Sequence, residues 1–193
     1  MSGGAVFAFN HQSFLDPILA SISTERELTW VARRSLNQSW LYRFLTQPAP
    51  LVHIERGRAD KGALDAAVER ARKGSALAIF PEETRSRDGS LQQIKGGFYL
   101  IAQHAGVPVV PGYVRGSFDV WSRGRKLPRL KGDLEVIFGE PFSVQDLERD
   151  AAAALLISRW SDLAAEGGGS ATSAPASTSA SPTKVPPSAS TNP

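Results

Sequence analysis

Apolar residues reach this chain in short runs, with longer amphipathic stretches between them. The first run is Ala5-Val6-Phe7-Ala8-Phe9, and Leu28–Ala32, Leu51–Ile54, Ala76–Phe80, Val107–Val114 and Leu134–Phe138 follow. Short apolar runs bounded by turn-forming residues predict buried strands. The stretches between them predict helices over Leu15–Ser23, Ser35–Thr46, Asp60–Lys73, Gly96–His104 and Val144–Ala165. In the third of these, Leu64, Ala67, Val68 and Ala71 form one apolar stripe, with Asp60 as the expected N-cap and Gly74 as the stop. Alternating strand and helix predict an α/β domain over residues 1–166, with a mainly parallel central sheet flanked by helices. In such sheets ligands gather beyond the carboxyl ends of the strands.

The pattern stops at Gly167. Between there and Pro193 all but three residues are Gly, Ser, Ala, Pro or Thr, and Lys184 is the only charge. Such a segment cannot bury enough apolar surface to offset its ordering entropy, so residues 167–193 are expected to form a disordered tail. No internal repeat is evident. No run approaches the roughly 18 apolar residues of a membrane span. The start lacks the charged and apolar regions of a signal peptide.

Composition narrows the chemistry. With 193 residues, 41% of them hydrophobic, the chain can bury a sizeable core. It has no cysteine, which excludes disulfides, a thiol nucleophile and thiolate metal sites. The formal charge is +3 and the sequence pI about 9.4. That mild excess fits an anionic surface or a small anionic ligand. A nucleic-acid domain would show a sustained Lys/Arg stripe, and none is present.

One of only three histidines follows the first apolar run directly, in Asn10-His11-Gln12-Ser13-Phe14-Leu15-Asp16. Within one regular helix His11 and Asp16 would lie about 140° apart, so they cannot share a face. They can meet if His11 precedes the helix. Asp16-Pro17 reads as an N-cap followed by proline at the first helical position, or Ser13 with Asp16 as a capping box one turn earlier. A carboxylate on one ring nitrogen would fix the tautomer and stabilise the imidazolium formed when the other takes a proton. The plainer alternative is a helix cap beside an ordinary loop histidine. No G-x-S-x-G elbow is present, and His53 and His104 lack metal-ligand spacing.

Pro81-Glu82-Glu83-Thr84-Arg85-Ser86 follows the fourth apolar run. Thr84 and Arg85 at a strand's carboxyl end can offer donors to a phosphate or carboxylate, Arg85 bidentately. Glu82 could hold Arg85 or bind a substrate hydroxyl. Alone, the segment also reads as a polar turn with a surface ion pair.

Together the two segments, NH-x4-D and FPE-x-TRS, resemble the glycerolipid acyltransferase superfamily, most closely the 1-acyl-glycerol-3-phosphate (lysophosphatidate) acyltransferases. Ile54-Glu55-Arg56 resembles the family's middle block, and Lys95-Gly96-Gly97 with Val107-Pro108-Val109-Val110-Pro111 its last. The resemblance spans about residues 5–140. It implies a glycerol-3-phosphate-acyltransferase-like fold and transfer of an acyl group to a lyso-lipid hydroxyl. The donor would be acyl-CoA or acyl carrier protein, used as a substrate, with no bound cofactor or metal. It implies His11 as general base, oriented by Asp16. Arg56 and Arg85 would bind the acceptor phosphate, Glu82 and Thr84 would shape that site, and Lys95 and Gly96 are further candidates for it. The expected setting is peripheral, on the cytoplasmic face of a membrane, with no nucleic-acid partner.

Two departures matter. The family usually has glycine where this chain has Glu83, and glycine permits positive φ and close approach of a ligand. The added negative charge makes a lyso-lipid without the phosphomonoester an alternative acceptor, and a non-catalytic lipid-binding homologue a further one. Family members also carry tens of residues before the first block, so either this chain is a truncated form or its membrane contact comes from elsewhere. Membrane contact could then come from Trp40–Leu45 as an interfacial helix, or from Arg123, Arg125, Lys126, Arg129 and Lys131 beside Trp121. The plain readings of these two stretches are a core helix and a solvated loop.

Overall fold

The computed structural model describes residues 3–33, 51–54 and 61–166. The expected helix Ser35–Thr46, the Trp40–Leu45 stretch, Arg56, the Asp60 cap and the tail from Gly167 lie outside the described residues.

Six strands form one sheet: β1 (Ala5–Phe9), β2 (Leu28–Arg33), β3 (Leu51–Ile54), β4 (Ala76–Ile79), β5 (Val109–Arg115) and β6 (Glu135–Phe138). Their order is β3-β2-β4-β1-β5-β6. All pairings are parallel except β5 with β6, which is antiparallel. The expected mainly parallel α/β sheet is therefore present. Among the described residues the helices are α1 (Asp16–Ile22), α2 (Lys61–Arg72), α3 (Gly97–Ala105), α4 (Ser117–Trp121) and α5 (Arg149–Glu166).

β1 lies between β4 and β5, and all five of its residues are buried. Successive side chains on a strand face opposite ways, and two cores result. Val6 and Ala8 join Leu77, Ile79, Phe98, Ile101 and Trp160 in one. Ala5, Phe7 and Phe9 join Trp30, Ala76, Ala78 and Val114 in the other. A strand covered on both faces needs a near-continuous apolar run, as AVFAF supplies. On the first face, the fully buried Trp160 of α5 donates its indole N–H to the Ala8 carbonyl at 3.1 Å. On the second, Gly112 lies so close to the Phe9 ring that a Cβ would sit 2.3 Å from it.

Two elements differ from expectation. α4 was not foreseen, because five residues carry too little periodicity to stand out. The last helix begins at Arg149 and not at Val144. Val144 is apolar because it is a core residue, fully buried in the preceding turn. Beside it, the Gln145 side-chain amide donates to the Gln103 carbonyl at 3.2 Å, near the end of α3.

Candidate active site

The sheet register assembles the site. The 71-residue offset that pairs Ala8 with Ile79 also brings the His11 amide, just past β1, onto the Glu82 carboxylate, just past β4. Asn10 fixes the exit from β1. Its side-chain amide donates to the Val114 carbonyl at 3.0 Å, and its oxygen accepts from the Val114 amide at 2.6 Å. Asn10 is fully buried, so these bonds extend the strand pairing by one side chain.

His11 then leaves the sheet, and its ring stacks on Phe80 at 4.0 Å and 16°. Its Nδ1 lies 2.9 Å from Asp16 Oδ2, and the histidine side chain is 17% exposed while Asp16 is fully buried. A carboxylate only accepts, so Nδ1 carries a proton, and in the neutral ring Nε2 keeps the free lone pair. Asp16 Oδ2 also accepts from the backbone N–H groups of Gln12 at 2.6 Å and Ser13 at 2.7 Å. Three donors thus hold one carboxylate oxygen. The N-cap of α1 is Leu15, with no side-chain cap. Asp16 is therefore the first helical residue, not the N-cap, and it bends back over the turn as the far end of a capping box does. This places His11 outside the helix, as the angular argument requires.

Ser13 is committed elsewhere. Its hydroxyl donates to the Trp121 carbonyl at 2.7 Å and accepts from the Leu15 amide at 3.1 Å.

Glu82 is 2% exposed. Its two oxygens accept from the amides of His11 at 2.8 Å and Gln92 at 2.9 Å. Burial pushes its carboxyl up to about 7, with the Asp16 charge adding to the rise and the two amide bonds opposing it. The Ser86 amide donates to the His11 carbonyl at 2.8 Å. The turn after β4 therefore grips both peptide groups of His11.

Arg85 lies with its guanidinium 3.5 Å from the centre of the Phe14 ring. Its Nη1 is buried and has no hydrogen-bond partner among the described residues. Burial first, then the like charge of Arg123, pull its pKa below the guanidinium range, and Asp16 opposes them. An unpaired buried cationic donor beside a second cation is a place for an anion. Thr84 is exposed and meets Arg123 Nη1 at 3.4 Å. Glu83 is exposed and has φ +56°, the only non-glycine positive φ among the described residues.

The Lys95 amide donates to the Pro81 carbonyl at 2.8 Å, beside Glu82. Lys95 Nζ bonds Gln93 at 2.8 Å, and Lys95 and Gly96 line a shallow cleft of about 220 Å³ with Arg149 and Asp150. His11, Asp16 and Arg85 do not line it. Gln12 and the hold of Glu82 on the His11 backbone have no local signature in the sequence. Asn10 carried one signal, a polar residue at the end of a fully apolar strand. Arg123 had been read only as part of a basic stretch. Among the described residues no group of His, Asp and Glu is arranged to hold a metal ion.

The acyltransferase family model matches residues 1–115. A chloroplastic 1-acyl-sn-glycerol-3-phosphate acyltransferase of Brassica napus is 32% identical over 151 residues, covering 76% of this chain and 44% of that protein. A probable 1-acyl-sn-glycerol-3-phosphate acyltransferase of Mycoplasma pneumoniae is 30% identical over 147 residues, covering 69% and 55%. The chain thus spans about half the length of these relatives. The fold matches the crystal structure of the 1-acyl-sn-glycerophosphate acyltransferase PlsC from Thermotoga maritima, with TM-score 0.69 and 22% identity over 89% of this chain and 70% of that one.

Proposed function

The chain belongs to the acyltransferase family, and from that premise we propose that it moves an acyl group from acyl-CoA or acyl carrier protein to the free hydroxyl of 1-acyl-glycerol-3-phosphate, giving phosphatidate. The observation that carries this reading is the 2.9 Å contact between His11 Nδ1 and the buried Asp16 carboxylate. His11 Nε2 takes the acceptor's hydroxyl proton while that oxygen attacks the thioester carbonyl. Asp16 holds the ring and balances the charge of the imidazolium. The tetrahedral intermediate collapses with loss of the C–S bond, and the imidazolium returns its proton to the leaving thiolate. A positioned base of this kind is worth about 10²–10⁴-fold. No covalent acyl-enzyme is needed, which agrees with the engaged Ser13 hydroxyl.

Arg85, with its unpaired Nη1, is the acceptor-phosphate contact in this reading, and Thr84 borders it. Arg56 is assigned the same role on the resemblance of its block. Glu82 acts by holding the His11 backbone. The exposure of Glu83 favours the phosphomonoester acceptor, because solvent and salt screen an exposed charge.

The test supplies a labelled acyl thioester with either lysophosphatidate or a lyso-lipid whose phosphate is a diester. Thiol release matched by labelled phosphatidate, and faster with lysophosphatidate, is expected. A preference for the diester that reverses in Glu83→Gly would overturn the acceptor assignment while leaving acyl transfer intact.

A further inference from the structure

Between α4 and β6 the chain makes a long excursion, Ser122 to Leu134, fastened at several points along its backbone. The Trp121 indole donates to the Arg125 carbonyl at 3.0 Å, and the Arg129 amide to the Val120 carbonyl at 2.8 Å. The returning limb packs against Gly116, where a Cβ would strike the Asp133 carbonyl. The start of the excursion is joined to the catalytic turn. Ser13 forms a β-bridge with Ser122, and Phe14 packs on Trp121 at 5.2 Å.

Every residue from Lys126 to Leu134 is exposed. Leu130 is 100% exposed and Leu127 75% exposed. Around them stand Arg123, Arg125, Lys126, Arg129 and Lys131, with Asp133 as the single acid of the excursion. A scattered surface leucine needs no explanation. Two bare leucines on a fastened loop, one on each side of Arg129 and each next to a cation, have the composition of a membrane-surface contact. Leucines enter the acyl boundary while long basic side chains reach back to the headgroups.

We propose that residues 123–131 dock this protein on an anionic lipid bilayer, with Leu127 and Leu130 inserted at the acyl boundary and the five cations among the headgroups. The charge selects a negatively charged surface, and the leucines select a bilayer over a soluble polyanion. Because the loop starts at Ser122, docking there brings the lipid surface up to the turn that carries His11. The inference rests on the acyl-transfer reading for its purpose, since a lipid acceptor must be met at a surface. Its test contains no acyl donor, so failed docking and failed transfer are read separately.

The experiment is co-sedimentation of the full chain with phosphatidylcholine vesicles, with and without phosphatidylglycerol, at low and high salt. The variants are Leu127→Ser/Leu130→Ser and Arg125→Gln/Lys126→Gln/Arg129→Gln, with circular dichroism to show that each is folded. The parent is expected to bind the anionic vesicles at least about 10-fold more than the neutral ones, less so at high salt. The leucine variant is expected to lose about 10-fold of that binding, and the basic variant at least as much. A parent that ignores anionic vesicles, or a folded variant of either kind that binds like the parent, overturns the proposal. Binding to duplex DNA as tight as to vesicles, and untouched by the leucine change, would make the loop a polyanion patch and overturn it too.

Discussion

At the scale of single residues, Asp16 and the two glutamates after β4 differ in environment and therefore in expected behaviour. Asp16 is held by three donors on one oxygen. In Asp16→Asn an amide oxygen can still accept from the turn, but the charge that balances the imidazolium is gone. We expect kcat to fall by about 10²-fold or more with KM little changed, measured in steady-state transfer assays. Glu82 is held above its ordinary range, up to about 7, chiefly by burial. The folded state thus prefers it protonated. Its contribution is most favourable below about pH 4.5, declines as pH rises, and is fully lost above about 7. Urea titrations of the parent and Glu82→Gln across this window should show the parent losing ground to the variant as pH rises, by on the order of 3 kcal/mol. A difference that does not change with pH would contradict the burial argument. Glu83 sits at φ +56°, a conformation that costs an L-residue about 1–2 kcal/mol. Glu83→Gly should raise stability by about 1 kcal/mol, read from the denaturation midpoint.

At the scale of elements, the site depends on how β1 is bolted at its carboxyl end. Asn10→Ala would strip both partners from the buried Val114 peptide groups. A loss of about 2 kcal/mol or more is expected, because buried backbone groups left unpaired cost about 1–3 kcal/mol each. Gly112→Ala would drive a methyl into the Phe9 ring and should cost about 1–3 kcal/mol in thermal or chemical unfolding. The apolar runs made the strands legible, since a strand buried on both faces must be apolar throughout. The same logic misled at Val144, where burial comes from packing in a turn and not from a helix. The His11–Asp16 contact was one of two readings open in the sequence: proline after Asp16 favours a helix start there and leaves His11 in the turn, but a plain cap beside a loop histidine fits the same residues. The grip of Glu82 on the His11 backbone was not, because it depends on the β1–β4 register, which a local pattern does not encode.

At the scale of the whole molecule, the candidate site lies at the carboxyl end of the central strands, where the turns after β1 and β4 meet and a basic loop with two exposed leucines joins them. Among the described residues no helix is long and apolar enough to cross a membrane. The most direct test of the account compares the parent with His11→Ala under saturating acyl-CoA and lysophosphatidate, following free thiol and labelled phosphatidate together. Equal amounts of both products are expected in the parent, with a fall of about 10²-fold or more in the variant. Transfer at the parent rate in His11→Ala would contradict the account.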